Sequence, residues 1–180
     1  AHDVPFHDVG DVDGTPDEDE LLDLLAEYDA DLIVLARYMR ILSPEVVFRY
    51  ESQIINVHPS LLPAFPGASA YMQAIEEGVR IAGVTAHYVT TDLDQGPIIT
   101  QRAFNVPDDA NEEALQAIGQ PLEAEALLEA MRLHLADEVT VHRGRTKLRD
   151  ATETDVQLGA PAAIEKHNPD RPIDGLGELV

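Results

Sequence analysis

54-IINVHPSLLPAFPG-67 opens as an apolar, β-branched run and closes as a stiff loop with three prolines. A run of that kind suits a strand buried on both faces of a sheet. An amide, Asn56, and an imidazole, His58, stand two positions apart where the strand gives way to the loop. In an open α/β sheet the ligand crevice lies outside the carboxyl ends of the strands, so this is where a site is expected.

Working outward, strand and helix signals alternate. Residues 4-VPFHDV-9 read as a short strand, and 17-DEDELLDLLAEYDA-30 has apolar residues at helical spacing after Thr15 and Pro16. Next come a buried strand, 31-DLIVLA-36, a short helix, 44-PEVVFRY-50, and the strand 53-QIINV-57. Beyond the proline loop, 69-SAYMQAIEEGV-79 reads as a helix, while 81-IAGVTAHYV-89 and 97-PIITQRAFNV-106 alternate as strands near an edge do. The stretch 111-NEEALQAIGQPLEAEALLEAMRLHL-135 is helical with an expected break at Gly119 to Pro121, and 138-EVTVHRGRTKL-148 reads as a hairpin turning at Arg143 and Gly144. This order implies an α/β fold: a mostly parallel twisted sheet that becomes mixed, helices on both faces, and a C-terminal β-hairpin. Residues 1–150 are expected to form one domain. Residues 151–180, rich in Pro, Gly and charge and without periodicity, are expected to form an acidic, disordered or surface-wrapping tail.

Bulk composition excludes several functions. The chain has 180 residues and a net charge of −22, with 34 acidic residues against 12 basic ones, which disfavours nucleic acid and anionic membrane surfaces as partners. Only Lys147 and Lys166 are lysine, and this balance points to a high-salt cytoplasm in which self-repulsion is screened. No cysteine is present, so disulfides and thiolate chemistry are excluded. No apolar run reaches the roughly 18 to 20 residues of a spanning helix, and the chain opens without a signal-peptide pattern. A soluble cytoplasmic protein is expected, with homo-oligomerisation left open. Because the chain opens on Ala1, inside a strand signal, a longer parent polypeptide is an open reading.

Two further polar clusters follow strands. In 85-TAHYVTTDLDQGP-97, Thr85 and His87 lead into a loop holding Asp92 and Asp94; in 36-ARYMRILSP-44, Met39, Ile41 and Leu42 offer an apolar wall. Convergence of the three clusters would gather an amide, imidazoles and a carboxylate around one cleft. Asp94 could orient or deprotonate a nucleophile, His58 could donate to an oxyanion or a leaving nitrogen, and Asn56 could fix a carbonyl oxygen. That set suits acyl transfer or amide hydrolysis. Ser60 lacks a nucleophile-elbow setting, and His58 and His87 lack a zinc-ligand pattern, so neither a serine triad nor a metal is expected. Taken singly, each residue has a structural reading: a satisfied histidine, an Asx-turn at Asp92 and Asp94, a core methionine.

The combination 38-YMRILSPEVV-47, 54-IINVHPSLLPAFPGA-68 and 83-GVTAHYVTTDLDQGPIITQ-101 resembles the folate-dependent formyltransferase family, over residues 4 to 148. The resemblance implies a Rossmann-like formyltransferase fold acting on 10-formyltetrahydrofolate, with no tightly bound cofactor and no metal. Of the family's branches, 36-ARYMRIL-42, 71-YMQA-74 and 138-EVTVHRGRTKL-148 look like deformylase usage. Pro59, where deformylases usually carry a second histidine, and LLPAFPG look closer to glycinamide ribonucleotide formyltransferase. A non-catalytic folate-binding protein is the alternative of a different class. Both branches usually begin with a strand and glycine-containing loop that would precede residue 1, and deformylases add a small ACT domain before it. By resemblance, Asn56, His58 and Asp94 are the catalytic residues. Met39, Arg40, Leu42, Tyr88, Val89, Thr90 and Asp92 hold the folate, and Thr85 and His87 support the loop of Asp94.

Overall fold

A computed structural model describes residues 4–10 and 16–149. Strand β1 (Ile33–Leu35) pairs in parallel with β2 (Ile54–His58), which pairs antiparallel with β3 (Ile81–Tyr88), itself antiparallel to β4 (Ile98–Asn105). The sheet is therefore mixed, in the order β1-β2-β3-β4. Its parallel part is confined, among the described strands, to β1 and β2, a smaller share than strand-helix alternation suggests. The crossover from β2 to β3 through α3 (Ala70–Glu76) returns the chain antiparallel rather than parallel.

Strand periodicity explains how both faces are covered. Ile54 packs with Leu22 of α1 (Glu18–Glu27) and with Val46 and Val47 of α2 (Pro44–Arg49). Its neighbour Ile55 faces the other way, toward Val84, Ala86, Tyr88 and the Ala126, Ala130 and Leu133 stripe of α4 (Glu112–Leu135). Successive side chains on a strand point to opposite faces, so one pair of isoleucines nucleates two cores.

The helix ends are locally specified. Asp17 caps α1 by accepting from the Asp19 and Glu20 N–H groups at 3.1 and 3.0 Å, and Ser43 caps α2 ahead of Pro44. Asn111 caps α4 with a 2.9 Å bond from the Ala114 N–H, and Arg132 and His134 sit in its last turn, where the helix dipole favours cations.

Four expectations are corrected. Residues 4–9 form no strand: Val4 and Phe6 are exposed, and His7 instead bonds the Tyr28 hydroxyl at 2.7 Å. Helix α4 runs unbroken through Gly119 and Pro121, because Gly119 packs on Tyr71 of α3 before the proline and Leu122, Ala126, Ala130 and Leu133 pack in the sheet core after it, which outweighs the one hydrogen bond that a proline removes. Strand β3 is an inner strand, buried from Ala82 to Tyr88, and only β4 alternates as an edge does. The cap of α1 is Asp17, one residue inside the expected Thr15–Pro16 signal. The hairpin is as read: β5 (Val139–His142) and β6 (Arg145–Leu148) meet at Arg143 and Gly144, both at positive φ. Two-residue hairpin loops favour that conformation because it matches the twist of the strands. The expected tail, 151–180, lies outside the described residues.

Candidate active site

At the carboxyl ends of β1 and β2 lies a cleft of about 400 Å³. Three segments form it: Arg37 to Leu42 after β1, Asn56 to Pro59 with Gly67 to Ser69, and Val89 to Asp94 after β3. These are the three clusters read from the sequence, now side by side.

Register explains which residues meet. Asn56 stands opposite His87 and His58 opposite Thr85 across the β2–β3 ladder. Directly opposed residues share a face, so all four side chains leave the sheet on the side away from α4. The period of two that brings His87 to this face sends Tyr88 to the other, into the α4 core, where its hydroxyl meets His134 Nδ1 at 2.9 Å. Tyr88 does not line the cleft, which corrects its expected place among the folate contacts. Met39, Arg40, Leu42, Val89, Thr90 and Asp92 do line it.

The polar centre is compact. His58 Nε2 donates to the Phe65 carbonyl at 2.8 Å, which leaves Nδ1 facing Asp94 Oδ2 at 3.5 Å. The same Asp94 oxygen accepts from the Gly67 backbone N–H at 2.7 Å. Asp94 Oδ1 lies 3.9 Å from His87 Nε2, and His87 Nε2 lies 3.4 Å from Asn56 Nδ2. His87 is 2% exposed, and burial pulls its pKa below the ordinary imidazole value, with the Tyr88 carbonyl and Asp94 opposing that drop. Asp94 itself adopts a left-handed backbone conformation at φ 54°, which aims its carboxylate back toward His58.

Thr85 serves a different loop from the expected one. Its hydroxyl donates to the Ser60 carbonyl at 2.7 Å and accepts from the Leu62 N–H at 3.1 Å and Gln101 Nε2 at 2.9 Å. It thus pins the start of the proline-rich loop beside His58 and makes no bond to the Asp94 loop. Ser60 closes the same loop through a 2.6 Å bond to the Ala64 carbonyl. Sequence reading missed Gly67, whose contact with Asp94 spans two loops, and Arg37, a cleft-lining residue at φ 55°. A glycine ending a proline-rich loop was the available signal for Gly67; none marked Arg37.

Among the described residues no group of three or more His, Cys, Asp or Glu side chains is placed to hold a metal ion. No helix among them is long and apolar enough to cross a membrane. A preorganised amide, imidazole and carboxylate around an apolar-walled cleft can polarise a carbonyl, stabilise its tetrahedral adduct and relay a proton.

A family model described as "Formyl transferase" matches residues 12–131. The chain belongs to the formyl transferase family. Formyltetrahydrofolate deformylases are among the similar proteins. That of Bacillus subtilis (strain 168) is 50% identical over 129 residues, covering 72% of this chain and 43% of its own length. That of Haemophilus influenzae is 46% identical over 145 residues, covering 79% and 52%. This formyl transferase chain therefore spans about half the length of the curated relatives it matches.

Solved structures of two branches share the formyl transferase fold. A formyltetrahydrofolate deformylase from Pseudomonas syringae pv. tomato matches with a TM-score of 0.77 at 40% identity, covering 83% of this chain and 51% of that one. A phosphoribosylglycinamide formyltransferase from Anaplasma phagocytophilum matches at 0.73 with 37% identity, covering 77% and 68%. The mixed sheet with helices on both faces and a closing hairpin is thus the Rossmann-like formyltransferase fold expected from the motifs.

Proposed function

We propose that the chain hydrolyses 10-formyltetrahydrofolate to formate and tetrahydrofolate. The observation that carries this reading is Asp94, a carboxylate held by the Gly67 N–H within 3.5 Å of His58 and in the same cleft as Asn56. The identity to curated deformylases supports it.

In this reading each residue of the cleft has a step. The folate ring lies against Met39, Arg40 and Leu42 and the loop carrying Val89, Thr90 and Asp92. One N–H of the Asn56 amide donates to the formyl oxygen. Asp94 takes a proton from water as the water oxygen bonds to the formyl carbon, and the oxyanion of the tetrahedral adduct stays on Asn56. His58, whose Nδ1 faces Asp94, takes that proton from Asp94 and passes it to the nitrogen as the carbon–nitrogen bond breaks; formic acid departs and loses its own proton to solvent as formate. Thr85 and the prolines hold the loop of His58 in advance, so little reorganisation is needed at the moment of reaction.

The second reading is formyl transfer to glycinamide ribonucleotide, favoured by the phosphoribosylglycinamide formyltransferase neighbour and by the LLPAFPG loop. The two differ in nucleophile, water against an amine. Formate release measured with and without glycinamide ribonucleotide separates them, and hydrolysis without the ribonucleotide is the expected result. The products would feed one-carbon metabolism and purine biosynthesis in a cytoplasm whose salt screens a net charge of −22.

A further inference from the structure

We propose that His87 is a positioning residue that fixes which end of the Asn56 side-chain amide faces the substrate. The inference deepens the hydrolytic reading and rests on it for the identity of the formyl oxygen. The orientation itself is a property of the free protein.

An amide side chain can sit either way round, and only one way presents N–H groups to a carbonyl. The structure constrains the choice through a chain of bonds that starts in the backbone. His87 Nδ1 lies 2.8 Å from the Tyr88 carbonyl oxygen, which can only accept, so Nδ1 carries a proton. In the neutral ring Nε2 is then a bare acceptor. Asn56 approaches that atom at 3.4 Å, from directly across the ladder. Its oxygen would meet the lone pair head-on, whereas its nitrogen can donate. One N–H of Nδ2 is committed to His87, and the other stays free for the formyl oxygen.

Two features of the sheet serve this arrangement. The pairing of β3 with β4 shifts register between Ala86 and His87, an irregularity that re-aims side chains beside active sites. Gly96 then allows close approach: a side chain there would overlap the Tyr88 carbonyl that holds Nδ1. The competing partner is Asp94 Oδ1, 3.9 Å from Nε2, which a doubly protonated His87 alone could bond. Burial keeps the ring neutral and so directs Nε2 to Asn56. The charged and titratable groups acting on His87 are Asp94 and His58, of opposite effect.

The test compares His87→Leu, which has no acceptor, with His87→Gln, whose side-chain oxygen can accept from Asn56. In His87→Leu, kcat for formate release should fall about 10- to 100-fold with KM little changed, because misorienting a donor forfeits part of its transition-state stabilisation. His87→Gln should recover part of that loss. In an Asn56→Ala background the further change His87→Leu should cost little. An equal loss in both backgrounds would overturn the proposal, as would His87→Gln falling as far as His87→Leu. The Asn56 side-chain amide protons, followed by NMR in the ligand-free protein, give a reading independent of the reaction. The resonance of the N–H that bonds His87 should shift upfield in His87→Leu, and unchanged resonances would also overturn the proposal.

Discussion

The backbone N–H of Gly67 donates to Asp94 Oδ2 at 2.7 Å, joining the end of the proline-rich loop to the acidic loop after β3. One bond thus fixes the carboxylate that the proposed chemistry needs as a base. In Asp94→Asn the side-chain oxygen can still accept from Gly67, so the loops should stay joined while the base is lost. Turnover should fall about 100-fold or more with folate affinity retained. Steady-state kinetics paired with folate titration checks this, and unchanged turnover would remove Asp94 from the mechanism.

Gly67 itself sits at φ +81° with open space where a side chain would go. Gly67→Ala should therefore meet no clash and cost only the left-handed conformation, about 1 kcal/mol. Urea unfolding measures that cost, and a loss several times larger would mean that the loop tolerates no shift at all.

A side-chain hydrogen bond locks helices α3 and α4 together. The Tyr71 hydroxyl donates to Glu123 at 2.7 Å and lies where a side chain on Gly119 would project. Burial and the Glu123 carboxylate both raise the Tyr71 pKa, so the phenol stays protonated as a donor. Gly119→Ala should destabilise the fold by about 1 to 3 kcal/mol through overpacking. In a Tyr71→Phe background the cost should shrink, because the obstructing oxygen is gone. Thermal unfolding of the four proteins closes the cycle, and strict additivity would refute the lock.

Acid should weaken the fold through His87. Its folded pKa lies below the ordinary value of 6.5, so the unfolded chain binds a proton more readily and stability falls as pH drops from 6.5 toward the folded value. Other groups titrate too, so the comparison is with His87→Gln. Its unfolding midpoint should depend less on pH between about 7.5 and about 5.5. Parallel curves for the two proteins would contradict the assignment.

The sequence revealed most where chemistry is local. The Arg143–Gly144 turn, the proline-rich loop and the apolar β2 run each specify their own conformation, and the hairpin and central strand follow. Two of the site's three clusters were legible because the carboxyl ends of parallel β1 and β2 face one crevice; the third reaches it although β3 is antiparallel and its Tyr88 end lies beside Ile55, through the loop that returns Asp94 to His58. Tyr88 was misplaced although alternation with His87 already sent it to the opposite face. The break expected in α4 followed from local propensity alone, which packing along the sheet overrides. Bonds such as Gly67 to Asp94 and Thr85 to Ser60 join residues distant in sequence and leave no periodic trace.

With a net charge of −22, self-repulsion should make the fold sensitive to salt. Raising ionic strength from about 0.1 M to about 1 M shortens the screening length from about 10 Å to about 3 Å, and the unfolding temperature should rise. Highest stability at low salt would overturn the high-salt reading.

The most direct test of the central claim is formate release from 10-formyltetrahydrofolate by the purified protein in high salt, with and without glycinamide ribonucleotide. Hydrolysis at the same rate in both conditions is the predicted result. Turnover only when the ribonucleotide is present would contradict it and make the amine, not water, the nucleophile that Asp94 serves.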